Sequence, residues 1–147
     1  MIELSFEAQV IIGFSVVVGL VLLIVARYVY KKIPRKPNQK KFQQKWKELQ
    51  LHCKKQETWP RAVESADELL DQALKIRRYK GKKMGERIVA AQKRISDNDA
   101  VWTAHNLAKK LRENATRPPL KEAEVKQALT AFRQALRDLG ALPNEQQ

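Results

Sequence analysis

Residues 10 to 26 read VIIGFSVVVGLVLLIVA, an apolar run without a single charge. Ala8 and Val29 extend it to about 20 residues, which as a helix matches a hydrocarbon core of roughly 30 Å. A buried helix of a soluble protein would carry a polar residue every third or fourth position on one side, and in this run Ser15 stands alone. The reading is a helix that spans a bilayer. A cleaved leader needs cations before its apolar core and small residues after it, and here the order is reversed. Glu3 and Glu7 precede the run, while Arg27, Lys31, Lys32, Arg35 and Lys36 follow it. Tyr28 and Tyr30 fall where amphipathic rings favour the headgroup layer. The expected location is therefore the cell membrane, single-pass, with the N-terminus outside and the C-terminal part cytoplasmic. Ser15 and Gly19, four apart, have the spacing of a close helix–helix contact in lipid, a weak signal against an unpartnered helix.

The formal charge of +13 gathers just after this run. Residues 27 to 55 hold eleven Lys or Arg against Glu48 alone, and residues 56 to 147 hold eighteen against thirteen acids. In KKIPRKPNQKKFQQKWK, residues 31 to 47, Pro34 and Pro37 prevent a continuous helix from leaving the membrane. The cations suit anionic headgroups; a nucleic-acid backbone is the rival partner and is not favoured. Arg77, Arg78, Lys80, Lys82 and Lys83 form a second cationic patch around Gly81. With Arg27, Lys31, Lys32, Arg35, Lys36, Lys40 and Lys41 they are the expected contacts for lipid headgroups or phosphate.

Phe42, Trp46, Leu49 and Cys53 follow a 4, 3, 4 spacing, which places them on one face of a helix over 39 to 57. That face is read as a buried stripe and not as a base-stacking platform. Whether the helix joins the domain or lies on the lipid stays open at this point. Cys53 is the single cysteine, so neither an internal disulfide nor a cysteine zinc cluster is available. Its neighbour His52 points about 100° away around the helix, so the pair is read as a core thiol beside a surface imidazole.

Beyond Trp59 and Pro60 the pattern is helical throughout, with no strand or hairpin signal. Ala62, Ala66, Leu69, Leu70, Ala73 and Leu74 mark a helix ending near Tyr79, with Gly81 as a stop, and Glu64, Asp67, Glu68 and Asp71 are read as its solvated face. Asp67 and Asp71, one turn apart, suggest a metal, but no further ligands gather around them. Gly81 and Gly85 do not form a phosphate-binding loop pattern. Met84, Ile88, Ala91 and Ile95 define a short helix, and Ser96 to Asp99 offer caps for the next, from about Asp99 to Ala115. That helix turns Val101, Ala104 or His105, Ala108 and Leu111 inward, with Trp102 as a large packing anchor. After a break at Thr116 to Pro119, the last helix runs from about Lys121 to Leu139. Val125, Ala128, Leu129, Phe132, Leu136 and Leu139 form its stripe, Gly140 stops it, and Leu142 closes the cap.

The expected fold is all-α, one N-terminal transmembrane helix followed by a four- or five-helix bundle. Its parts are an anchor at 1–30, a basic linker and amphipathic helix at 31–57, a bundle at 58–142 and a tail at 143–147. No cofactor and no metal is expected.

Residues 59 to 142 resemble a family of small bacterial helical domains, often behind a membrane helix, related to HEPN-type bundles. The resemblance is carried by Trp59, the run Ala66 to Asp71, Met84-Gly85-Glu86-Arg87, Trp102-Thr103-Ala104-His105 and the ending Ala135 to Gly140. It implies the fold. Catalytic members use an arginine followed after four to six residues by a histidine, acting on an RNA phosphodiester near a dimer interface. Here Ala108 and Glu113 stand where that pair is expected, and no arginine lies four to six residues ahead of His52 or His105. Alanine cannot hold a phosphate, and a carboxylate at 113 repels one. The expectation is a non-enzymatic interaction domain that meets a protein partner or a second copy of itself, with His105, Asp67 and Trp102 as candidate functional residues. The alternative is a membrane-tethered RNA-binding protein or residual ribonuclease.

Overall fold

The computed structural model of the chain describes residues 5–114, 116 and 119–144. Glu3, Arg117, Pro118 and most of the expected tail lie outside the described residues. The chain divides into two compact units, residues 1–33 and 34–147.

The first unit is one helix, α1 (Phe6–Lys32), and no residue of it is buried. At 1.5 Å per residue its 27 residues extend about 40 Å. It is long and apolar enough to cross a membrane, with a mean hydropathy of 2.8 in its most apolar window. Glu7 stands in the first turn and Lys31 and Lys32 in the last, the arrangement that offsets a helix dipole. The Lys32 ammonium lies 4.6 Å from the centre of the Tyr28 ring.

The second unit contains α2 (Gln39–Leu51), a 3-10 turn (Gln56–Thr58), α3 (Trp59–Ile76), α4 (Met84–Ala91), α5 (Asn98–Glu113) and α6 (Glu122–Asp138), with no strand among the described residues. Asn38 caps α2 by accepting from the Lys41 amide. Phe42, Trp46 and Leu49 are buried in the same core as the later helices, so this helix joins the bundle. It ends at Leu51, earlier than the apolar spacing implies, because Thr58 donates to the His52 carbonyl and the Trp59 indole donates to the Cys53 carbonyl at 3.0 Å, pulling the chain into a turn. Cys53 therefore sits half-buried in that turn, off the helical stripe.

α3 is the central element, packed against α2, α4, α5 and α6. It ends at Ile76 and not near Tyr79. The residue that reverses the chain is Arg78, at φ 62°, and not Gly81. The Tyr79 amide donates to Leu74 O and the Arg78 amide to Lys75 O, a Schellman closure with Tyr79 folded toward the core. Gly81 is required for another reason, since a Cβ there would stand 2.7 Å from the Glu86 Cβ and 2.8 Å from the Arg87 nitrogen. α6 ends in the same closure at Gly140, φ 74°, with Ala141 N donating to Leu136 O and Leu142 buried beyond it.

α4 stops at Ala91, short of Ile95, yet Ile95 still reaches the core from the connecting turn. α5 begins one residue before Asp99, capped by Asp97, whose carboxylate accepts from the Ala100 amide at 3.0 Å. Val101, Ala104, Ala108 and Leu111 line its inner face, leaving His105 one step off it. α6 buries Val125, Ala128, Phe132 and Leu136, with Ala131 and Ala135 beside them, while Leu129 is only partly covered.

Contacts between elements set the direction of the helices. Trp59, at the start of α3, bonds Cys53 just past the end of α2, and Lys45 meets Gln72 at 2.7 Å, so α2 and α3 run antiparallel. Gln39 donates to the Gly140 carbonyl, and Arg94 and Ser96 bond to Asp138. The start of α2, the end of α3, the start of α5 and the end of α6 therefore share one end of an up-and-down bundle.

Candidate functional site

On α3, Val63, Asp67, Leu70 and Leu74 follow a 4, 3, 4 spacing, so Asp67 lies on an apolar stripe. It is 1 % exposed, which overturns its reading as part of a solvated face. α3 is enclosed by four neighbouring elements, and little of its circumference is left for water. A carboxylate at such a depth must be paired. His105 Nδ1 lies 2.8 Å from Asp67 Oδ1, and the Arg112 guanidinium donates to Asp67 Oδ2. His105 and Arg112 are seven residues apart on α5, two turns, so they share a face and reach one partner from above and below.

Trp102, one turn before His105, approaches its ring edge-on, with centroids 6.0 Å apart and planes at 68°. The indole also packs over α4, where a Cβ on Gly85 would lie 3.2 Å from its ring. The three residues singled out from sequence thus converge on one place, and Arg112 and Gly85 complete it.

A second ion cluster lies one turn further along α3. Arg87 is buried and reaches Asp71 through Nε at 2.8 Å and Nη2 at 2.7 Å, while its Nη1 donates to the Gly81 carbonyl at 2.7 Å. Lys75 takes the other Asp71 oxygen at 2.7 Å. Asp71 is thus also withdrawn from the solvated face, whereas Glu68 is exposed as expected. Asp67 and Asp71 do not form a metal pair, since each is occupied by its own cations, and no three His, Cys, Asp or Glu gather to hold an ion among the described residues. Arg87 carried no signal in the sequence by itself, lying among charged residues in MGERIVAA. Arg112 did carry one, the seven-residue step from His105.

The remaining candidates are at the surface. Arg27, Lys31 and Lys32 are exposed on α1. In the second unit Arg35, Lys36, Lys40, Lys41, Lys80, Lys82 and Lys83 are exposed, and Arg77 and Arg78 are half-buried. Burial pushes the Cys53 thiol up from its ordinary value, the reverse of an activated nucleophile.

Between α5 and α6 runs an open groove of about 960 Å³. Ala100, Ala104, Leu107, Ala128 and Ala131 supply its apolar lining, with Asp97 and Asp138 toward one end and Lys110, Glu124 and Lys126 toward the other, where Lys126 pairs with Glu122 at 2.9 Å.

The fold and these clusters define an all-helical bundle behind a long apolar helix. Comparison with protein-family models, curated proteins and solved structures returned no match.

Proposed function

We propose that this chain is a single-pass membrane protein whose cytoplasmic bundle is a non-enzymatic interaction module. The observation that carries the reading is α1, which buries none of its residues while its valine, leucine and isoleucine side chains stand mostly more than half exposed. Moving each such side chain out of water yields about 2 kcal/mol, and the bundle, with a closed core of its own, does not need them. Lys31 and Lys32 close this helix and Arg35 and Lys36 follow it, while Glu7 stands in its first turn, so the positive-inside rule orients it with the bundle in the cytoplasm.

The interaction role rests on how the buried polar groups are used. Both Asp67 oxygens are taken by His105 and Arg112, and Arg87 is divided between Asp71 and Gly81. These bonds tie α3 to α5 and α4, and they are the bonds of a scaffold. The partner we favour is a second copy of the chain meeting through the α5–α6 groove, because a two-fold axis across it opposes Asp97 and Asp138 of one copy to Lys110 of the other. Lys110→Glu is expected to weaken association of the detergent-solubilised full chain in sedimentation, and Lys110→Glu combined with Asp97→Lys to restore it. A monomer at every concentration would contradict the pairing.

One observation favours a second reading. Histidine and arginine, residue types of a phosphodiester-cleaving site, meet at Asp67, although in the order histidine then arginine. RNA turnover by the purified chain, abolished by His105→Ala while the fold is retained, would replace the non-enzymatic reading.

A further inference from the structure

The loop from Arg77 to Lys83 holds five cations and no acid in seven residues. It follows α3, so it emerges at the end of the bundle where α2 begins, as the Lys45–Gln72 and Gln39–Gly140 contacts require. That is also the end at which the chain enters the bundle from α1, through residues 34–38 with Pro37 buried. Six residues from Ile33 to Asn38 reach at most about 20 Å. Cations separated by some forty positions in sequence, Lys40 and Lys41 on one side and Lys80, Lys82 and Lys83 on the other, are thus gathered at the tethered end, and all five are exposed.

The loop is held in shape. Arg87 donates to its Gly81 carbonyl, the Lys82 amide donates to Glu86 at 2.8 Å, and the Arg78 reversal anchors its start. A pinned loop presents its lysines without a large loss of backbone freedom on binding. Of the acids at this end, Asp71 is paired with Arg87 and Lys75, Glu86 accepts from the Lys82 amide, Asp138 from Ser96 and Asp97 from the Ala100 amide, and Asp99 is exposed.

We infer that this end of the bundle docks on anionic lipid headgroups, the 77–83 loop acting with Lys40 and Lys41 as a folded contact. The inference rests on the anchored reading above. Each lysine near an anionic surface changes partition by about fivefold, so losing three lowers it roughly a hundredfold. The charge that such a surface offers is screened by salt.

The test uses the full chain reconstituted into phosphatidylcholine vesicles and into vesicles of phosphatidylcholine mixed with phosphatidylglycerol. Alkaline extraction reads insertion, and amide hydrogen exchange reads residues 77–83. The expected result is resistance to extraction in both vesicles, with exchange at 77–83 slowed only in the anionic ones and restored by high salt. The triple variant Lys80→Glu, Lys82→Glu, Lys83→Glu should remain inserted and lose the protection. Insertion with equal exchange in both vesicles overturns the docking and leaves the anchor standing. Extraction from both overturns the anchor and the docking with it. Slowing by oligouridylate on neutral vesicles, without slowing by anionic lipid, assigns the surface to nucleic acid and also overturns the inference.

Discussion

Asp67→Ala leaves His105 Nδ1 and the Arg112 guanidinium facing an emptied position that is 1 % exposed. The carboxylate is the buried member, and the partners it leaves are 12 % (His105) and 37 % (Arg112) exposed, so thermal unfolding should show a loss of about 2 kcal/mol, that of hydrogen bonds to a charged group. Asp71→Ala should cost more, about 3 kcal/mol, because it leaves the Arg87 guanidinium, 9 % exposed, without its carboxylate. A double-mutant cycle between Asp67 and Arg112 should give a coupling of about 1 kcal/mol or more, and additivity would show that the pair does not bind α3 to α5. At Cys53 the sign of the pKa displacement fixes the chemistry. Burial holds the thiol protonated to higher pH, so alkylation of the folded chain should rise at a higher pH than that of the chain in urea. A lower pH would mean an activated thiol. The burial of Asp67 was legible in its 4, 3, 4 spacing with Val63, Leu70 and Leu74. The identity of its partners was not, because pairing across 38 and 45 positions depends on how α5 is rotated against α3.

At the scale of elements, the amphipathic stripes of α3, α5 and α6 were readable because leucine and alanine recur at helical spacing. The ends were less so. Gly81 suggests a stop by composition, yet α3 closes at Arg78, since Tyr79 and Leu74 provide the apolar contact that a Schellman closure uses. α6 follows the composition, and Gly140→Ala should cost about 1 kcal/mol by forcing a Cβ into a left-handed backbone at φ 74°. The attachment of α2 was open in the sequence because a buried stripe serves a lipid surface as well as a protein core. Phe42, Trp46 and Leu49 lie in the bundle core, so Trp46→Ala should destabilise by about 3 kcal/mol. If urea unfolding of Trp46→Ala matched the parent chain, α2 would not be part of the cooperative unit.

For the whole molecule, two physical problems are solved separately. The bundle closes its own core around α3, and α1 leaves its apolar surface uncovered along its full length. Both the all-helical class and this division were visible in the sequence, because an uncharged run and periodic stripes report on burial directly. The gathering of Lys40 and Lys41 with Lys80, Lys82 and Lys83 at one end, and the groove between α5 and α6, were not visible, since both depend on how the helices are arranged.

The anchor is tested most directly by alkaline extraction of membranes from cells expressing the full chain, compared with a variant carrying Val18→Asp and Leu22→Asp. Each aspartate at the centre of a spanning helix costs about 3 kcal/mol. The parent chain is expected to stay with the membrane pellet and the variant to be released. Release of the parent chain into the supernatant would contradict it.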